Sequence, residues 1–401
     1  MKKRATIQGA INTALKRSRI VAILGPRQCG KTTMARMISD ASDCPVTFLD
    51  IENPLDRNKL QNPMLQLGPL KGLVVLDEIQ QAPELFPILR VLADRKPLPA
   101  RFLVLGSASP DIIRGCSESL AGRVEFVFMN GFSLDEVEPD IWQTLWWRGG
   151  FPDAFLAQSD ADAQAWHTNF IRTFLERDLR NMGINIPPVA LHRLWQMYAH
   201  YHAQVLNASE LGRALAESYS TIKRHTDILE GSFLIRQLQP WHENISKRQV
   251  KSPKIYIRDS GILHALLQIG NREVLPGHPK VGASWEGFAL EQVLQCTGTT
   301  NAYFWATHSG AELDLFLIRN DQRLGVEFKF SETPKTTRSM REAMKTLNLD
   351  HLYVVYPGPD TYPLDNHLTA LSILDLKQIN SPCTSSSSAA SPAPSSISAA
   401  P

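Results

Sequence analysis

Long hydrophobic runs are missing from this chain, and so is any large excess of charge of one sign. No uninterrupted apolar stretch approaches the roughly 20 residues that a membrane-spanning helix needs. The opening Met1-Lys2-Lys3-Arg4 is followed by polar residues between Gln8 and Ser18, which interrupt any signal-sequence core. Lysine plus arginine number 42 against 40 acidic residues, a net charge of +2, so nucleic-acid contact would need a local basic patch. Cysteine is scarce: Cys29, Cys44, Cys116, Cys296 and Cys383 are scattered, odd in number and form no C-x-x-C pair. That excludes a disulfide framework and a clustered zinc site and suits a reducing compartment. These absences set the expectation of a cytoplasmic protein with no membrane partner.

The 401 residues, 43% of them hydrophobic and 20% charged, suffice for two or three domains with separate cores and exclude wholesale disorder. Short apolar runs at Ile20–Leu24, Val46–Asp50, Leu73–Asp77, Phe102–Gly106 and Val124–Met129 alternate with helix-length segments. This pattern predicts a parallel sheet covered on both faces, an α/β fold. A mostly helical, tryptophan-rich stretch follows, with Trp142, Trp146, Trp147 and Trp166 expected in packing roles. The expected division is a nucleotide-binding core at 1–133, a helical lid at 134–185, a helix-turn-helix region at 186–274, a smaller α/β module at 275–380, and a disordered Ser/Ala/Pro tail at 381–401.

Gly25-Pro26-Arg27-Gln28-Cys29-Gly30-Lys31-Thr32 fills every fixed position of the pattern G-x-x-x-x-G-K-[ST], with Thr33 just beyond it. It follows the apolar run Ile20–Leu24 and opens a helix, so backbone N–H groups and a helix N-terminus would converge on an anion. Lys31 is expected to reach the β- and γ-phosphates of ATP, and Thr32 to ligate Mg²⁺. Leu73–Asp77 ends in two carboxylates: Asp77 is expected in the Mg²⁺ shell and Glu78 as the general base. Ser107, after the next apolar run, reads either as a contact for the γ-phosphate or lytic water or as a simple Gly-Ser turn. Arg123 reads either as a charge-stabilising finger, in the same chain or toward a neighbour, or as a surface salt bridge.

Further along, Ser209 and Ser220 are expected to cap two short helices, with Thr221, Lys223, Arg224 and His225 at the exposed start of the second. The span 244–258 carries Lys247, Arg248, Lys251, Lys254 and Arg258 and no acidic residue, a basic wing suited to phosphate contact. DNA or RNA and a protein partner both remain open for it. In the last module, Glu312-Leu313-Asp314 followed by Glu327-Phe328-Lys329 matches the D-x(n)-E-x-K signature of restriction-endonuclease-like folds, with Glu286 as a further carboxylate. Asp314, Glu327 and Glu286 would hold a divalent metal beside Lys329. Glu327 and Lys329 share a strand face, and Asp314 joins them only if the intervening loop has an even number of residues. The alternative is an edge hairpin with solvated charges.

Gly25–Thr33, Leu73–Gln80, Gly106–Ser109 and Leu120–Arg123, in this order, resemble bacterial and archaeal AAA+-type ATPases with a C-terminal domain of unknown function. Arg148-Gly149-Gly150-Phe151-Pro152 and Trp285-Glu286-Gly287-Phe288 look like landmarks of that second domain, and the likeness runs over about residues 5 to 375. The resemblance implies a three-layer P-loop ATPase core, a winged-helix region and a nuclease-like module. It implies neither a substrate nor an oligomeric state. Two functions follow as expectations: a Mg²⁺-dependent ATPase acting on or with nucleic acid, and a nucleotide-gated DNA- or protein-binding module whose nuclease-like domain is inert.

Overall fold

A computed structural model describes residues 2, 4–107, 118–242 and 250–380, without the side chain of Ser107. The tail, Lys247, Arg248, Cys116 and Ser109 lie outside the described residues.

The first sheet has the order β2-β3-β4-β1-β5, all parallel, from β1 (Ile20–Gly25), β2 (Val46–Asp50), β3 (Gly72–Asp77), β4 (Ala100–Ser107) and β5 (Val124–Phe128). Its inner strands β1 and β3 are apolar and buried almost from end to end because both faces are covered, whereas β2 and β5 at the two edges are half-buried and carry Asp50 and Glu125. Val21, Ile23, Val75 and Leu103 pack against Ile11, Met34 and Ile38 of the helices Ala5–Arg17 and Lys31–Asp40. The alternate residues Ala22, Leu24, Val74 and Val104 pack against Phe86, Leu89 and Leu92 of the helix Leu85–Ala93. This is the expected α/β core.

The next region is helical and shares one core with a three-stranded antiparallel sheet, order β6-β8-β7, from β6 (Gln204–Val205), β7 (Ile235–Leu238) and β8 (Lys254–Ile257). Two helices, Ala208–Leu215 and Tyr219–Gly231, join through a tight turn and bury Leu211, Ile222 and Leu229. Their caps are Asn207, which accepts from Glu210 N–H, and Ser218, which accepts from Thr221 N–H. Each lies two residues before the expected cap, because Ser209 and Ser220 fall inside the helices. His225 is buried, whereas Lys223 and Arg224 are exposed.

The C-terminal sheet has the order β13-β14-β12-β11-β10-β9. Its strands are β9 (Ala302–Ala306), β10 (Glu312–Arg319), β11 (Gln322–Phe328), β12 (His351–Tyr356), β13 (Tyr362–Asp365) and β14 (Leu368–Ser372). The helices Val281–Thr297 and Arg338–Leu347 contribute to the two cores beside it. The β13–β14 hairpin was not expected; β13 carries Pro363 and is only partly buried, as an edge strand is.

The cores do not stop at the sequence divisions. Trp142, Trp146, Trp147, Leu238 and Tyr256 belong to the same buried cluster as Trp285, Phe288, Leu315 and Val326. The Leu275–Gly277 turn, at the expected start of the last module, buries Leu275 in that cluster. The glycine landmarks are contact points: a Cβ on Gly150 would meet the Phe132 carbonyl at 2.6 Å, and one on Gly287 would meet His202 Nε2 at 2.1 Å.

His202 couples this packing to pH. Its Nδ1 accepts from Ile257 N–H at 2.9 Å, and burial pushes its pKa down to about 3. The neutral ring's contribution is complete above the unfolded value of about 6.5 and is lost as pH falls toward about 3. The stability gap between the parent and His202→Gln should therefore narrow by about 2 kcal/mol between pH 7 and pH 5, at about 1.4 kcal/mol per pH unit. Urea unfolding at the two pH values measures it; parallel behaviour of the two proteins would remove His202 from the acid response.

Candidate functional site

The loop after β1 is built by close backbone approach. A Cβ at Gly25 would lie 1.9 Å from the Met129 carbonyl, so only glycine fits. Gln28 (φ 62°) and Gly30 (φ 95°) take left-handed conformations that turn the chain into the helix Lys31–Asp40, with Gly30 at its N-cap. Cys29 is fully buried and its Sγ donates to the Met129 carbonyl at 3.3 Å. Lys31, 5% exposed, donates from Nζ to the carbonyls of Gly25 (3.1 Å) and Pro26 (2.7 Å). Its ammonium is thus held within the loop itself. Thr33 is exposed on the first helical turn.

Thr32 Oγ1 donates to Asp77 Oδ2 at 2.7 Å, joining the loop to the end of β3. Asp77 is buried, and burial pushes its pKa up; the Thr32 hydrogen bond acts the other way, and the neighbouring Glu78 adds to the rise. Glu78 sits in the left-handed region (φ 56°), its N–H donates to Asp77 Oδ1 at 3.0 Å, and its carboxylate accepts from Gln80 Nε2. A non-glycine residue in that conformation is uncommon and is found at functional positions. A hydroxyl and a carboxylate side by side at a helix N-terminus, with a buried ammonium, are a donor set suited to a Mg²⁺-nucleotide.

Ser107 pairs with Gly25 in the sheet register, so its backbone stands at the loop end of β4. Arg123 does not stand there. It immediately precedes β5, at the end of the strands opposite the loop, and its guanidinium grips Asp94 at 2.7 and 2.8 Å. The finger role within the same chain is thereby corrected to the surface ion pair, because residues before a parallel strand lie at the end away from the loops that follow it.

Two contacts that the sequence did not announce hold the loop. Arg4 donates to the carbonyls of Cys29, Asn130 and Gly131 at 3.2, 3.0 and 2.9 Å and pairs with Glu136 at 2.6 Å. Arg27 pairs with Glu52 at 3.0 Å and with the buried Asp178 at 3.3 Å, in a π-helical turn Phe174–Asp178. Neither partner has a local motif; both are brought in by tertiary packing.

In the C-terminal module the even-loop condition is met. β10 and β11 are joined by Asn320-Asp321, both at positive φ (48° and 61°), as a two-residue hairpin turn requires. The register Leu315↔Val326 continues to place Asp314 opposite Glu327. Lys329 Nζ lies 2.7 Å from Glu327 Oε2 and 4.0 Å from Asp314 Oδ2. Glu286 completes the group through Lys254, whose Nζ is 3.3 Å from Glu286 Oε1 and 3.4 Å from Asp314 Oδ1 and also pairs with Glu312. The expected residues therefore come together, but among the described residues no set of three or more carboxylate, histidine or cysteine side chains is arranged to hold a metal ion. The expected metal site of Asp314, Glu327 and Glu286 is corrected: a lysine ammonium stands among these carboxylates. Lys254, taken as part of a basic wing, is 2% exposed. Arg258 also leaves the wing, because its guanidinium is bound to Glu291 at 3.3 Å and to Asn130 Oδ1 at 3.0 Å.

A parallel sheet with this loop, lysine and acidic strand end defines a P-loop ATPase fold of the AAA type. A family model described as an AAA domain matches residues 17–138, and two domains of unknown function match residues 139–273 and 281–376. The chain is 47% identical over 361 residues to the uncharacterized proteins Rv2008c of Mycobacterium tuberculosis and Mb2031c of Mycobacterium bovis, covering 90% of this chain and 81% of each relative. The chain belongs to their family. Among solved structures, the Walker-type ATPase paby2304 of Pyrococcus abyssi aligns at 14% identity and TM-score 0.48 over 67% of this chain and 96% of that one. The RuvB Holliday junction branch migration motor of Thermotoga maritima aligns at 14% identity and TM-score 0.30 over 59% and 90%. No helix among the described residues is long and apolar enough to cross a membrane.

Proposed function

We propose that this protein binds ATP with Mg²⁺ and hydrolyses it. The observation that carries the reading is the Thr32–Asp77 contact at 2.7 Å beside the buried ammonium of Lys31. Residues 25–33 would cradle the phosphates, with Lys31 reorienting from its own loop carbonyls to the β/γ-phosphates. Thr32 and Asp77 would hold Mg²⁺, which neutralises phosphate charge when bound. Glu78 accepts a proton from the attacking water as its oxygen bonds to the γ-phosphorus and the bond to the bridging oxygen breaks. Ser107 is assigned to the γ-phosphate or to that water.

Titration of a fluorescent ATP analogue with and without Mg²⁺ tests the assignment. Asp77→Asn should remove most of the Mg²⁺-dependent gain in affinity while keeping Mg²⁺-free binding. A full Mg²⁺ response in Asp77→Asn would exclude Asp77 from the metal shell.

For the partner, the exposed Lys223 and Arg224 at the start of Tyr219–Gly231 support a winged helix-turn-helix that contacts nucleic acid through phosphates. Neutralising Lys223, Arg224 and the exposed Lys251 should flatten the salt dependence of duplex binding by about 0.9 log units per lost contact. An unchanged slope would assign this face to a protein partner. The meeting of Asp314, Glu327 and Lys329 supports an endonuclease-like fold for the last module; cleavage is not part of the proposal.

A further inference from the structure

The carboxylates of the C-terminal module converge on a cation that belongs to the chain itself. Lys254 enters from β8, a strand of the preceding three-stranded sheet. Strand alternation puts Lys254 and Tyr256 on one face and Ile255 and Ile257 on the other. Ile255 and Ile257 fill the helical core, whereas Tyr256 O–H donates to Glu286 Oε1 at 2.7 Å, the same oxygen that Lys254 approaches at 3.3 Å. Asp314 is likewise committed on both sides: Oδ1 faces Lys254 at 3.4 Å, and Oδ2 accepts from Phe328 N–H at 3.1 Å.

We propose that the Lys254 ammonium is the built-in counter-cation of the Glu286–Asp314–Glu312 cluster, closing it to divalent metal, and that removing this ammonium opens a divalent-cation site there. A hard cation needs carboxylate oxygens at about 2.0–2.6 Å from one point. The point that Glu286 and Asp314 share is taken by Nζ, and a divalent ion beside it would meet a like charge at close range in a dry environment. Lys329 closes the other side through Glu327 at 2.7 Å. Among the described residues, the groups around Nζ include Glu286 on its helix, Glu312 and Asp314 on β10, Tyr256 on β8, and the ring of Phe304 on β9 at 5.7 Å, with Glu327 of β11 also acting on it electrostatically.

The protonation states agree with this geometry. Burial disfavours the charge on Lys254, but Glu286 and Tyr256, then Asp314 and Glu312, outweigh it and hold the ammonium well above lysine's ordinary range. Burial, with Asp314 close by, pushes Glu286 up to about 7 and Glu327 up to about 8. The pairing agrees: Lys254 lies against Glu286, Asp314 and Glu312, and Lys329 against Glu327, so the carboxylates already face cations of the chain.

Mn²⁺ bound at equilibrium, read by the loss of the free-ion signal in electron paramagnetic resonance, tests the proposal on full-length, nucleotide-free protein. In the parent, Asp314→Asn should leave Mn²⁺ stoichiometry unchanged. Lys254→Met, which keeps most of the side-chain volume, should gain one equivalent of Mn²⁺, and adding Asp314→Asn should remove it. A gain that survives Asp314→Asn, or no gain in a folded Lys254→Met protein, overturns the proposal. The comparison between the parent and Asp314→Asn does not depend on Lys254→Met folding: one equivalent of Mn²⁺ bound by the parent and lost in Asp314→Asn overturns closure.

Discussion

Glu78→Gln should keep ATP binding and slow hydrolysis by about 10²–10⁴-fold, the usual effect of losing a general base. The amide preserves the shape of the side chain and leaves the Thr32–Asp77 contact in place, so the loss falls on the chemical step. Affinity and single-turnover rate measured together separate the two effects. A parent-like rate would remove Glu78 from the chemistry; lost affinity would instead mean that its left-handed turn shapes the loop. Gln80 provides the control. It donates to the Glu78 carboxylate, and its loss should change turnover less than the loss of the carboxylate itself.

Glu291→Leu should destabilise the folded chain by about 3–5 kcal/mol, the cost of leaving buried charge without its partner. Glu291 is 3% exposed and binds Arg236 at 2.5 Å and Arg258 at 3.3 Å. Burial alone would raise its pKa; Arg236 and Arg258 outweigh that and hold it down at about 2. Burial in turn lowers Arg258 to about 10. Arg258 also reaches Asn130, next to the Met129 carbonyl that crowds Gly25, so one ionic knot joins elements from all three matched segments. Urea unfolding checks the figure. A loss below about 1 kcal/mol would show that the two guanidinium groups find other partners or water, as exposed pairs do.

The P-loop domain was legible because its physics is local. Buried parallel strands are nearly continuous apolar runs, and the loop after β1 needs glycines at fixed places, so Ile20–Gly25, Leu73–Asp77 and Gly30 could be located from sequence alone. The hairpin parity that sets Asp314 opposite Glu327 was legible only as a condition, because the sequence does not show whether Asn320-Asp321 alone or a longer stretch makes the turn; the structure meets it with both residues at positive φ. Two of the wing residues were misread. Lys254 and Arg258 looked like free positive charge because their partners, Glu286, Asp314 and Glu291, come from a later segment. The signal was nevertheless present: Lys254-Ile255-Tyr256-Ile257 alternates with period two, and a strand buried on both sides forces its polar face to find partners. Arg123 could have been excluded from a same-chain finger role by strand direction alone. Arg4 and Asp178 carried no such signal, because single charged residues in polar surroundings reveal nothing until the fold brings the loop to them.

Phosphate release from Mg²⁺-ATP by the parent and Lys31→Ala, measured side by side, tests the central claim most directly. Losing one buried, charge-assisted contact of about 1.5–3 kcal/mol should weaken ATP binding roughly 10- to 100-fold. Transition-state stabilisation should fall with it, leaving turnover by Lys31→Ala near the protein-free blank while the parent releases phosphate steadily. Equal release by the two proteins would contradict an ATPase built on the loop at residues 25–33.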